Sequence, residues 1–550
     1  MLSKTEIFGY EPDPKYTKSV AYFSMEFAID QALKIYSGGL GFLAGSHLRS
    51  AYELKQNLVG IGILWKYGYY DQERDIHGTM RPSYIEKHYS FLTDTGIVFT
   101  VPIHDVEIHV KAYLLKPQVF GSAPLFLLST DIPENDFVSR TICNRLYDSN
   151  EATRIAQSIL LGIGGAKLLD LINLTPDIYH MNEGHSLPLN FYLYAKHKSL
   201  EEIKKRVVFT THTPEKAGNE EHRFDLLKEM SFFYHLQTHE VKHILELEGD
   251  MLDYTLCALK FAKISNGVSK LHGEVSKEMW AGNKGISKII SITNSQNKKY
   301  WKDEKLEDAL GKNDDKALAF RKIELKRELF KTVANQCGKI FDENVLTVVW
   351  ARRFAGYKRA DLIMHDFERF LKLINKKDQQ VQFIWAGKPY PEDYSAITMF
   401  NSIFTKTRDI PNCAVLTGHE LELSAFLKKG SDVWLNNPKM YREASGTSGM
   451  TAAMNGSVNL SIPDGWVPEF ARHKENCFVV HPADRALSVQ DQDLSEGNKL
   501  MDVLETEIIP MYYQNHSQWL AIVKQAMVDV SVEFESGRMV KEYYEKMYGI

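Results

Sequence analysis

Short apolar runs recur along the chain, and each is followed by a polar or glycine-containing turn and then by a helical pattern. Examples lie at 206–214, 345–354, 381–388 and 413–418. Buried runs rich in Val, Ile and Phe that alternate with amphipathic helices are typical of parallel sheets with helices on both faces. The pattern therefore predicts an α/β protein.

The length of the chain predicts two domains rather than one. Single hydrophobic cores stop growing near about 250–300 residues, whereas this chain has 550 residues. We place an N-terminal domain over residues 1–290 and a C-terminal domain over residues 291–525, because the polar segment after residue 290 begins as a linker. Residues 526–550 are helical in pattern, and the sequence leaves open whether this C-terminal helix crosses back to the N-terminal domain.

The composition excludes several classes of function. The 66 Lys and Arg residues nearly balance the 71 Asp and Glu residues, so the chain shows no basic footprint for nucleic acid or an anionic membrane. No apolar run approaches the roughly 18 residues that a membrane span needs, and the first residues lack the apolar core of a signal peptide. The five cysteines are scattered, which favours a reducing compartment. We therefore expect a cytoplasmic protein that binds neither nucleic acid nor a membrane.

A glycine-rich turn within residues 35–54 is the first candidate binding element. Gly38 and Gly39 precede a helical pattern. Glycines let the backbone approach a ligand, and the helix N-terminus offers N–H groups to an anion. A tight turn without a ligand explains the same residues equally well, because the segment is not a complete G-x-G-x-x-G motif.

Two apolar runs end on polar side chains that suit sugar hydroxyls. Asn182 and His185 follow one short run, and His212 ends the run that starts at residue 206. Ligands in open α/β sheets bind at the carboxyl ends of strands, which makes these residues active-site candidates. Their spacing does not match a metal site, so we predict no metal, and structural roles for the histidines remain the alternative.

Four cations lie at or directly after the end of the apolar run at 345–354 and within eight positions of one another, namely Arg352, Arg353, Lys358 and Arg359. Such cations repel one another unless an anion is present, and Arg grips phosphate oxygens bidentately. The cluster predicts a phosphate site. A solvated basic face is the alternative, which the directly preceding strand makes less favourable.

The segment from Glu443 to Gly456 reads EASGTSGMTAAMNG. Its small polar residues, including Ser445 and Gly446, leave the loop backbone free to donate N–H groups to a ligand. Glu443 can accept hydrogen bonds from hydroxyls. A carboxylate beside an amide-rich loop suits a sugar better than a nucleic acid.

Taken together, these motifs resemble those of the α-glucan phosphorylases, in particular the short bacterial and archaeal form. The similarity covers nearly the whole chain and includes YSGGLGFLAG, MNEGHS, FTTHTP, ARRFAGYKRA and EASGTSGM in the expected order. The resemblance implies two Rossmann-like domains that face a cleft, the GT-B glycosyltransferase fold. It also implies a retaining enzyme that moves glucosyl units between α-1,4-glucan and phosphate, with glucose 1-phosphate as product, in glycogen or starch metabolism.

The resemblance also assigns roles to motif residues. Residues near the reacting atoms, where His212 contributes its backbone carbonyl and the two cations bind phosphate, are His212, Arg353 and Lys358. Residues that contact the sugar or the substrate phosphate are Gly38, Gly39, Asn182, His185, Glu443, Ser445 and Gly446.

One position departs from the family pattern. The family motif places a lysine after Met450, and this lysine holds pyridoxal phosphate as a Schiff base, whereas the present chain has Thr451. Threonine has no amine, so the covalent anchor of the cofactor is absent. The sequence leaves open whether the cofactor binds without an anchor or another phosphate takes its place.

This departure keeps three functional hypotheses open. The first is a phosphorylase, and the second is an α-glucan glucosyltransferase that uses UDP-glucose or ADP-glucose, whose distal phosphate fills the vacated volume. The third is a non-catalytic glucan-binding homologue. Family members commonly form oligomers, and the sequence leaves the oligomeric state of this chain open.

Overall fold

The computed structural model describes residues 2–549, which form two compact units. The N-terminal unit contains the chain up to Tyr70, the segment Tyr84–Asn297 and the chain from Ser536 onward. The C-terminal unit contains Asp71–Ser83 and Lys298–Glu535.

The strands of the described residues are, in chain order, β1 (Val20–Phe23), β2 (Leu58–Ile63), β3 (Asp71–Arg74), β4 (Met80–Ser83), β5 (Thr93–Ile103), β6 (Val106–Leu115), β7 (Leu125–Ser129), β8 (Ile178–Asn182), β9 (Val207–Thr210), β10 (Glu221–Arg223), β11 (Met251–Asp253), β12 (Ile264–Gly267), β13 (Lys288–Ser291), β14 (Leu346–Ala351), β15 (Val381–Ala386), β16 (Cys413–Leu416), β17 (Val433–Asn436), β18 (Val458–Ser461) and β19 (Cys477–Val479).

The helices are, in chain order, α1 (Lys4–Phe8), α2 (Gly39–Glu53), α3 (Pro117–Phe120), α4 (Phe137–Arg140), α5 (Glu151–Ile159), α6 (Gly165–Leu171), α7 (Pro188–His197), α8 (Leu200–Lys204), α9 (Phe224–Glu229), α10 (Thr238–Leu245), α11 (Tyr254–Phe261), α12 (Lys270–Trp280), α13 (Lys298–Trp301), α14 (Glu304–Gly311), α15 (Asp315–Cys337), α16 (Phe367–Ile374), α17 (Tyr394–Thr407), α18 (Leu421–Gly430), α19 (Ser448–Ala453), α20 (Val467–Phe470), α21 (Val489–Val503), α22 (Ile509–Gln514), α23 (His516–Glu533) and α24 (Ser536–Tyr543).

The N-terminal unit is built on a nine-stranded sheet with the order β13-β12-β9-β8-β1-β2-β7-β6-β5. Its strands pair in parallel from β13 to β7, and the hairpin β5–β6 adds an antiparallel edge. The central strands β1, β2 and β8 are buried along their whole length, as expected for a sheet covered on both faces. The carboxyl ends of β1, β8 and β9 therefore meet at one edge of this sheet.

The C-terminal unit is built on a six-stranded parallel sheet with the order β16-β15-β14-β17-β18-β19. Strands β14 and β15 are fully buried, which agrees with the apolar runs seen in the sequence. Aspartates cap four helices of this unit, because a carboxylate accepts hydrogen bonds from N–H groups that a helix start leaves unpaired. The capping residues of α14–α17 are Asp303, Asp314, Asp366 and Asp393.

Two short segments join a unit that is distant from them in sequence. The hairpin β3–β4 packs in the C-terminal unit, where Gln72 Nε2 donates to the carbonyl of Gly387 at 2.9 Å. Residues from Ser536 onward pack in the N-terminal unit, where Tyr548 Oη lies 2.6 Å from Nδ1 of His180.

The structure confirms the α/β class predicted from the sequence, with parallel sheets as the main elements of both units. The antiparallel hairpin β5–β6 was not predicted, because its partly exposed edge strand lacks the continuous apolar run of a buried strand. No helix within residues 2–549 is both long enough and apolar enough to cross a bilayer.

Candidate active site

The glycine loop before α2 is held by the carboxylate of Glu26. Glu26 is 3% exposed, and its Oε2 accepts hydrogen bonds from the backbone N–H groups of Ser37 at 2.6 Å and Gly38 at 3.1 Å. Helix α2 begins at Gly39, directly after this loop. Because one carboxylate oxygen holds two consecutive N–H groups, Glu26 fixes the backbone of Gly38 directly before helix α2.

Tyr147 connects the glycine loop to His185. The Tyr147 hydroxyl donates to Oε1 of Glu26 at 2.8 Å, and its ring centroid lies 5.7 Å from that of His185. Nδ1 of His185 is buried and has no hydrogen-bond partner among the described residues. A buried polar atom without a partner costs free energy, so this nitrogen is suited to meet a ligand hydroxyl.

Asn182 and His212 lie side by side at the ends of neighbouring strands. β8 and β9 pair in parallel with Asn182 opposite Thr210, and His212 follows two residues later. Nε2 of His212 is 2.7 Å from Oδ1 of Asn182, whose Nδ2 donates to Oγ of Ser24 at 3.1 Å. The Ser24 hydroxyl donates to the carbonyl of Glu26 at 3.0 Å. Hydrogen bonds thus connect His212 and Asn182, through Ser24 and Glu26, to the backbone of Gly38.

Glu183 fixes the backbone of His212. Its Oε1 accepts the N–H of His212 at 2.6 Å and the hydroxyl of Thr213 at 3.1 Å. The φ angle of Glu183 is +73°, in the left-handed region that residues with side chains rarely adopt. Such strain persists where the surrounding structure enforces it, and it often marks functional sites.

Burial keeps the imidazole of His212 uncharged. It lowers the pKa of His212 to about 3, and the nearby His272 and His185 act in the same direction. His212 is therefore neutral near neutral pH, and it acts as a hydrogen-bonding group rather than as a cation.

Arg352 and Lys358 of the C-terminal unit converge on the carboxylate of Glu443. Arg352 follows the end of β14, and a 3-10 turn over Gly356–Lys358 brings the lysine back. Oε2 of Glu443 lies 2.7 Å from Nη2 of Arg352 and 2.6 Å from Nζ of Lys358. The three side chains are at most 10% exposed.

This cluster carries one positive charge more than its carboxylate balances. Burial by itself raises the pKa of Glu443, but the charges of Arg352 and Lys358 outweigh it and hold the pKa at about 2. Nη1 of Arg352 is buried and has no hydrogen-bond partner among residues 2–549. A second anion placed here would meet both an unpaired donor and an unbalanced charge.

The other two cations of the sequence cluster differ from Arg352 and Lys358. Arg353 is exposed, whereas Arg352 and Lys358 are buried. The Arg359 guanidinium pairs with Asp493 at 2.8 Å and Glu496 at 2.6 Å, and it donates to two backbone carbonyls of residues 437–438. Arg359 therefore stabilises the loop after β17. Its charge is already balanced by two carboxylates, which disfavours phosphate binding by Arg359.

The loop after Glu443 approaches Arg352 closely. Gly446 has a φ of +82°, and a Cβ there would lie 3.2 Å from Nη2 of Arg352 and 3.1 Å from Cγ of Glu443. A side chain at this position would be both strained and crowded. Oγ of Ser445 is buried without a hydrogen-bond partner in the described part of the chain.

Thr451 lies within α19 and is fully buried. Its hydroxyl donates to the carbonyl of Ser448 at 3.0 Å, and its own carbonyl accepts Nδ2 of Asn455 at 2.8 Å. The side chain is thus engaged inside the helix that carries it.

Several known proteins are similar in sequence to this chain over most of its length. The family model for carbohydrate phosphorylases matches residues 247–482. An uncharacterized protein of Methanocaldococcus jannaschii is 48% identical over 96% of this chain and 100% of its own length. Maltodextrin phosphorylase of Thermococcus litoralis is 32% identical over 97% of this chain and 71% of its own. Glycogen phosphorylase of Aquifex aeolicus is 30% identical over 97% and 86%.

The chain belongs to the carbohydrate phosphorylase family. It is accordingly a glycosyltransferase of the phosphorylase type. Phosphorylases of this family normally use pyridoxal phosphate.

Sequence reasoning did not single out several residues that shape this phosphorylase. Arg352 was noticed only as one of four cations, whereas the structure makes it a partner of Glu443. The acids Glu26, Glu183 and Asp464 each accept backbone N–H groups of a candidate loop. A signal was present, because Glu183 lies in MNEGHS, and Glu26 and Asp464 lie in AYFSMEFAI (21–29) and DGW (464–466), where the similarity to the family begins and ends. The partner loop of each acid can be identified only from the fold.

Proposed function

We propose that this phosphorylase moves glucosyl units between the non-reducing end of an α-1,4-glucan and phosphate, with retention of anomeric configuration, in glycogen or starch metabolism. The observation that carries the proposal is the buried cluster of Arg352, Lys358 and Glu443. Its excess positive charge and the unpaired Nη1 of Arg352 suit a phosphate group. Membership of the family, with relatives named maltodextrin and glycogen phosphorylase, supports the same reaction.

The cations that follow β14 are proposed to bind phosphate. Arg352 and Lys358 are buried and hold fixed positions, so they cost little reorganisation when charge develops on a ligand. The exposed Arg353 adds a further positive charge at the same strand end, and its guanidinium can donate two hydrogen bonds to one phosphate. Gly38 and Gly39, on the loop that Glu26 fixes, are proposed to approach the substrate phosphate through the backbone.

The sugar is proposed to be recognised by neutral and acidic hydrogen-bonding groups. In the N-terminal unit these are Asn182, His185 and the backbone carbonyl of His212. In the C-terminal unit, Ser445 offers a buried hydroxyl without a protein partner among the described residues, and Oε1 of Glu443 is not used by either cation. The backbone of Gly446 completes this group.

The reaction follows from these positions. An oxygen of phosphate forms a bond to the anomeric carbon while the glycosidic C–O bond breaks, and the phosphate proton passes to the departing glucan oxygen. The transition state is oxocarbenium-like, and negative charge on the phosphate is stabilised by Arg352 and Lys358. The neutral imidazole of His212 adds no positive charge that would oppose the developing oxocarbenium ion.

The proposal is tested by release of glucose 1-phosphate from maltodextrin or glycogen in the presence of phosphate. We expect release by the wild-type chain and its loss in Lys358→Met. A matched control is Lys406→Met, because Lys406 is an exposed lysine on α17. No release by the wild-type chain, with or without added pyridoxal phosphate, would overturn the proposal.

A glucosyltransferase that uses a nucleotide sugar is the second candidate, and Thr451 favours it. If pyridoxal phosphate is not anchored, the distal phosphate of UDP-glucose or ADP-glucose can bind Arg352 and Lys358 instead. Elongation of a glucan from either donor would establish this activity. Failure with both donors would count against it, and glucan binding without turnover on any donor would leave a binding protein.

The residues present do not fit pyridoxal phosphate as a Schiff base. A threonine hydroxyl forms no imine, and that of Thr451 is bonded to Ser448. Asn455, whose side chain contacts the carbonyl of Thr451, is also contacted by a lysine, Lys322. The amine of Lys322 donates to the carbonyl of Asn455 at 3.1 Å and to two further carbonyls, so it is not free to form an imine. Borohydride reduction after incubation with pyridoxal phosphate, followed by peptide mass analysis, is expected to find no pyridoxyl lysine in the C-terminal unit.

A further inference from the structure

The loop that carries Glu443 rests on a buried aspartate that the sequence motifs did not assign to the site. Asp464 is 1% exposed and follows β18. Its Oδ2 accepts the backbone N–H groups of Arg442 and Glu443, each at 3.0 Å. Its Oδ1 accepts the N–H of Gly465 at 2.8 Å. One carboxylate therefore ties the backbone of Glu443 to the end of β18.

The next two residues strengthen this connection. The N–H of Trp466 donates to the carbonyl of Ser445 at 3.0 Å. Gly465 has a φ of +62°, and a Cβ there would lie 2.3 Å from that same carbonyl oxygen. Only glycine allows the two segments to lie so close. Asp464, Gly465 and Trp466 thus form a clamp along the loop from Arg442 to Ser445.

We infer that Asp464 is a positioning residue, which holds Glu443 where its carboxylate meets Arg352 and Lys358. The inference rests on the proposed function, in which this cluster binds phosphate and the sugar. Asp464 acts through the backbone of Glu443 and does not itself touch a ligand. A shift of the loop would move Oε2 of Glu443 away from the two cations, which lie within 2.7 Å of it.

An aspartate suits this task better than an asparagine. Three N–H donors converge on the side chain, and an ionised carboxylate offers acceptor sites on both oxygens. An amide keeps one acceptor oxygen and turns an NH₂ group toward at least one of the donors. Burial, followed by the charge of Glu443, raises the pKa of Asp464 to about 6 despite these hydrogen bonds. The carboxylate is therefore ionised at neutral pH.

The test compares Asp464→Asn with Asp432→Asn. Asp432 is also buried, accepts the N–H of Thr347 at 2.9 Å and pairs with Lys326 at 2.5 Å, but it precedes β17 and makes no contact of this kind with the Glu443 loop. Both variants lose a buried carboxylate, so both are expected to melt at a lower temperature than the wild-type chain. Only Asp464→Asn is expected to change the loop and the kinetics.

Two readouts separate positioning from general destabilisation. Hydrogen exchange of a peptide covering residues 440–447 is expected to be faster in Asp464→Asn and unchanged in Asp432→Asn. Per folded molecule, kcat/KM for phosphate is expected to fall about 10- to 100-fold in Asp464→Asn, as expected when a reacting group is displaced by about 1 Å. Gly465→Ala keeps the charge and displaces the same loop, so it is expected to act in the same direction and serves where Asp464→Asn does not fold.

The outcomes separate this inference from the proposed function. Unchanged exchange in both clamp variants would overturn the inference, whatever the activity. Faster exchange with kcat/KM no lower than in Asp432→Asn would also overturn it, because the loop would then move without consequence. Faster exchange in a protein whose wild-type form releases no glucose 1-phosphate would support the clamp and refute the proposed function.

Discussion

Replacing Glu443 with glutamine removes the carboxylate that Arg352 and Lys358 share. In the folded chain the pKa of Glu443 is held at about 2 rather than 4.5, because the two cations outweigh the effect of burial. The difference, 4.5 minus about 2, is about 2.5, which at about 1.36 kcal/mol for each pH unit corresponds to about 3 kcal/mol. Since the folded pKa is the lower one, this stabilisation is present above pH about 4.5 and is lost as the pH falls toward about 2.

The loss in Glu443→Gln is expected to match or exceed this value. Removing one partner of a buried ion pair costs about 3–5 kcal/mol, because the remaining charges stay buried without compensation. For a unit of this size each kcal/mol lowers the melting temperature by roughly 2–4 °C. We therefore expect Glu443→Gln to melt roughly 6–20 °C below the wild-type chain at neutral pH.

Added phosphate makes the assay specific for the cluster. An anion that binds the folded state stabilises it in proportion to its occupancy. In Glu443→Gln the two cations have no carboxylate partner, so inorganic phosphate is expected to raise the melting temperature of the variant more than that of the wild-type chain. The matched control is Glu343→Gln, which makes the same chemical change at an exposed ion pair with Arg327 and is expected to melt near the wild-type temperature.

Three results would refute this reasoning. Equal stability of Glu443→Gln and Glu343→Gln would mean that the cluster contributes no stability. A difference from the wild-type chain that does not shrink between pH about 5 and pH about 3 would contradict the lowered pKa of Glu443. Equal stabilisation of both chains by phosphate would mean that phosphate binds at another site.

Further substitutions test the other parts of the site. Arg353→Met is expected to raise KM for phosphate with little change in melting temperature, because Arg353 is exposed, whereas Arg352→Met is expected to lower the melting temperature as well; equal melting temperatures for the two variants would contradict the difference in burial. Glu26→Gln places an NH₂ group or a single oxygen against the glycine loop, and KM for phosphate is expected to rise about tenfold; an unchanged KM would separate the loop from phosphate binding. Thr451→Lys restores the amine of the family motif and is expected to give an imine absorbance band with pyridoxal phosphate, and no band would show that the cofactor pocket is lost.

The main elements of the fold were predictable because their patterns are local. The apolar runs at 345–354 and 381–388 predict β14 and β15, where every strand residue is buried. The hairpin β3–β4 gives no comparable signal. It packs in the C-terminal unit through contacts such as Gln72 to Gly387, 315 positions apart. No periodicity within a short window contains that information.

The candidate site was predictable to a similar degree. Lys358 and Glu443 were identified from separate motifs, and the structure joins them at 2.6 Å. The four cations after β14 look alike in the sequence, yet burial separates them, since Arg359 is drawn into pairs with Asp493 and Glu496. Their distinct roles depend on acids 85 or more positions away, which a motif does not show.

Both units place a buried acid behind a loop rather than at its surface. Glu26 accepts two N–H groups of the glycine loop, and Glu183 accepts that of His212. Asp464 accepts two N–H groups of the Glu443 loop and that of its own neighbour Gly465. A negative charge near the phosphate site that we propose would oppose binding of the anion, so electrostatics alone would disfavour these acids. They fit a different requirement, because converging N–H donors need an acceptor with several lone pairs, and a carboxylate provides them in one rigid group. Amide replacements show which effect is larger, because they remove the unfavourable charge and the multiple acceptors together. Tighter phosphate binding would show that the charge dominates, and weaker binding would show that the loop geometry does.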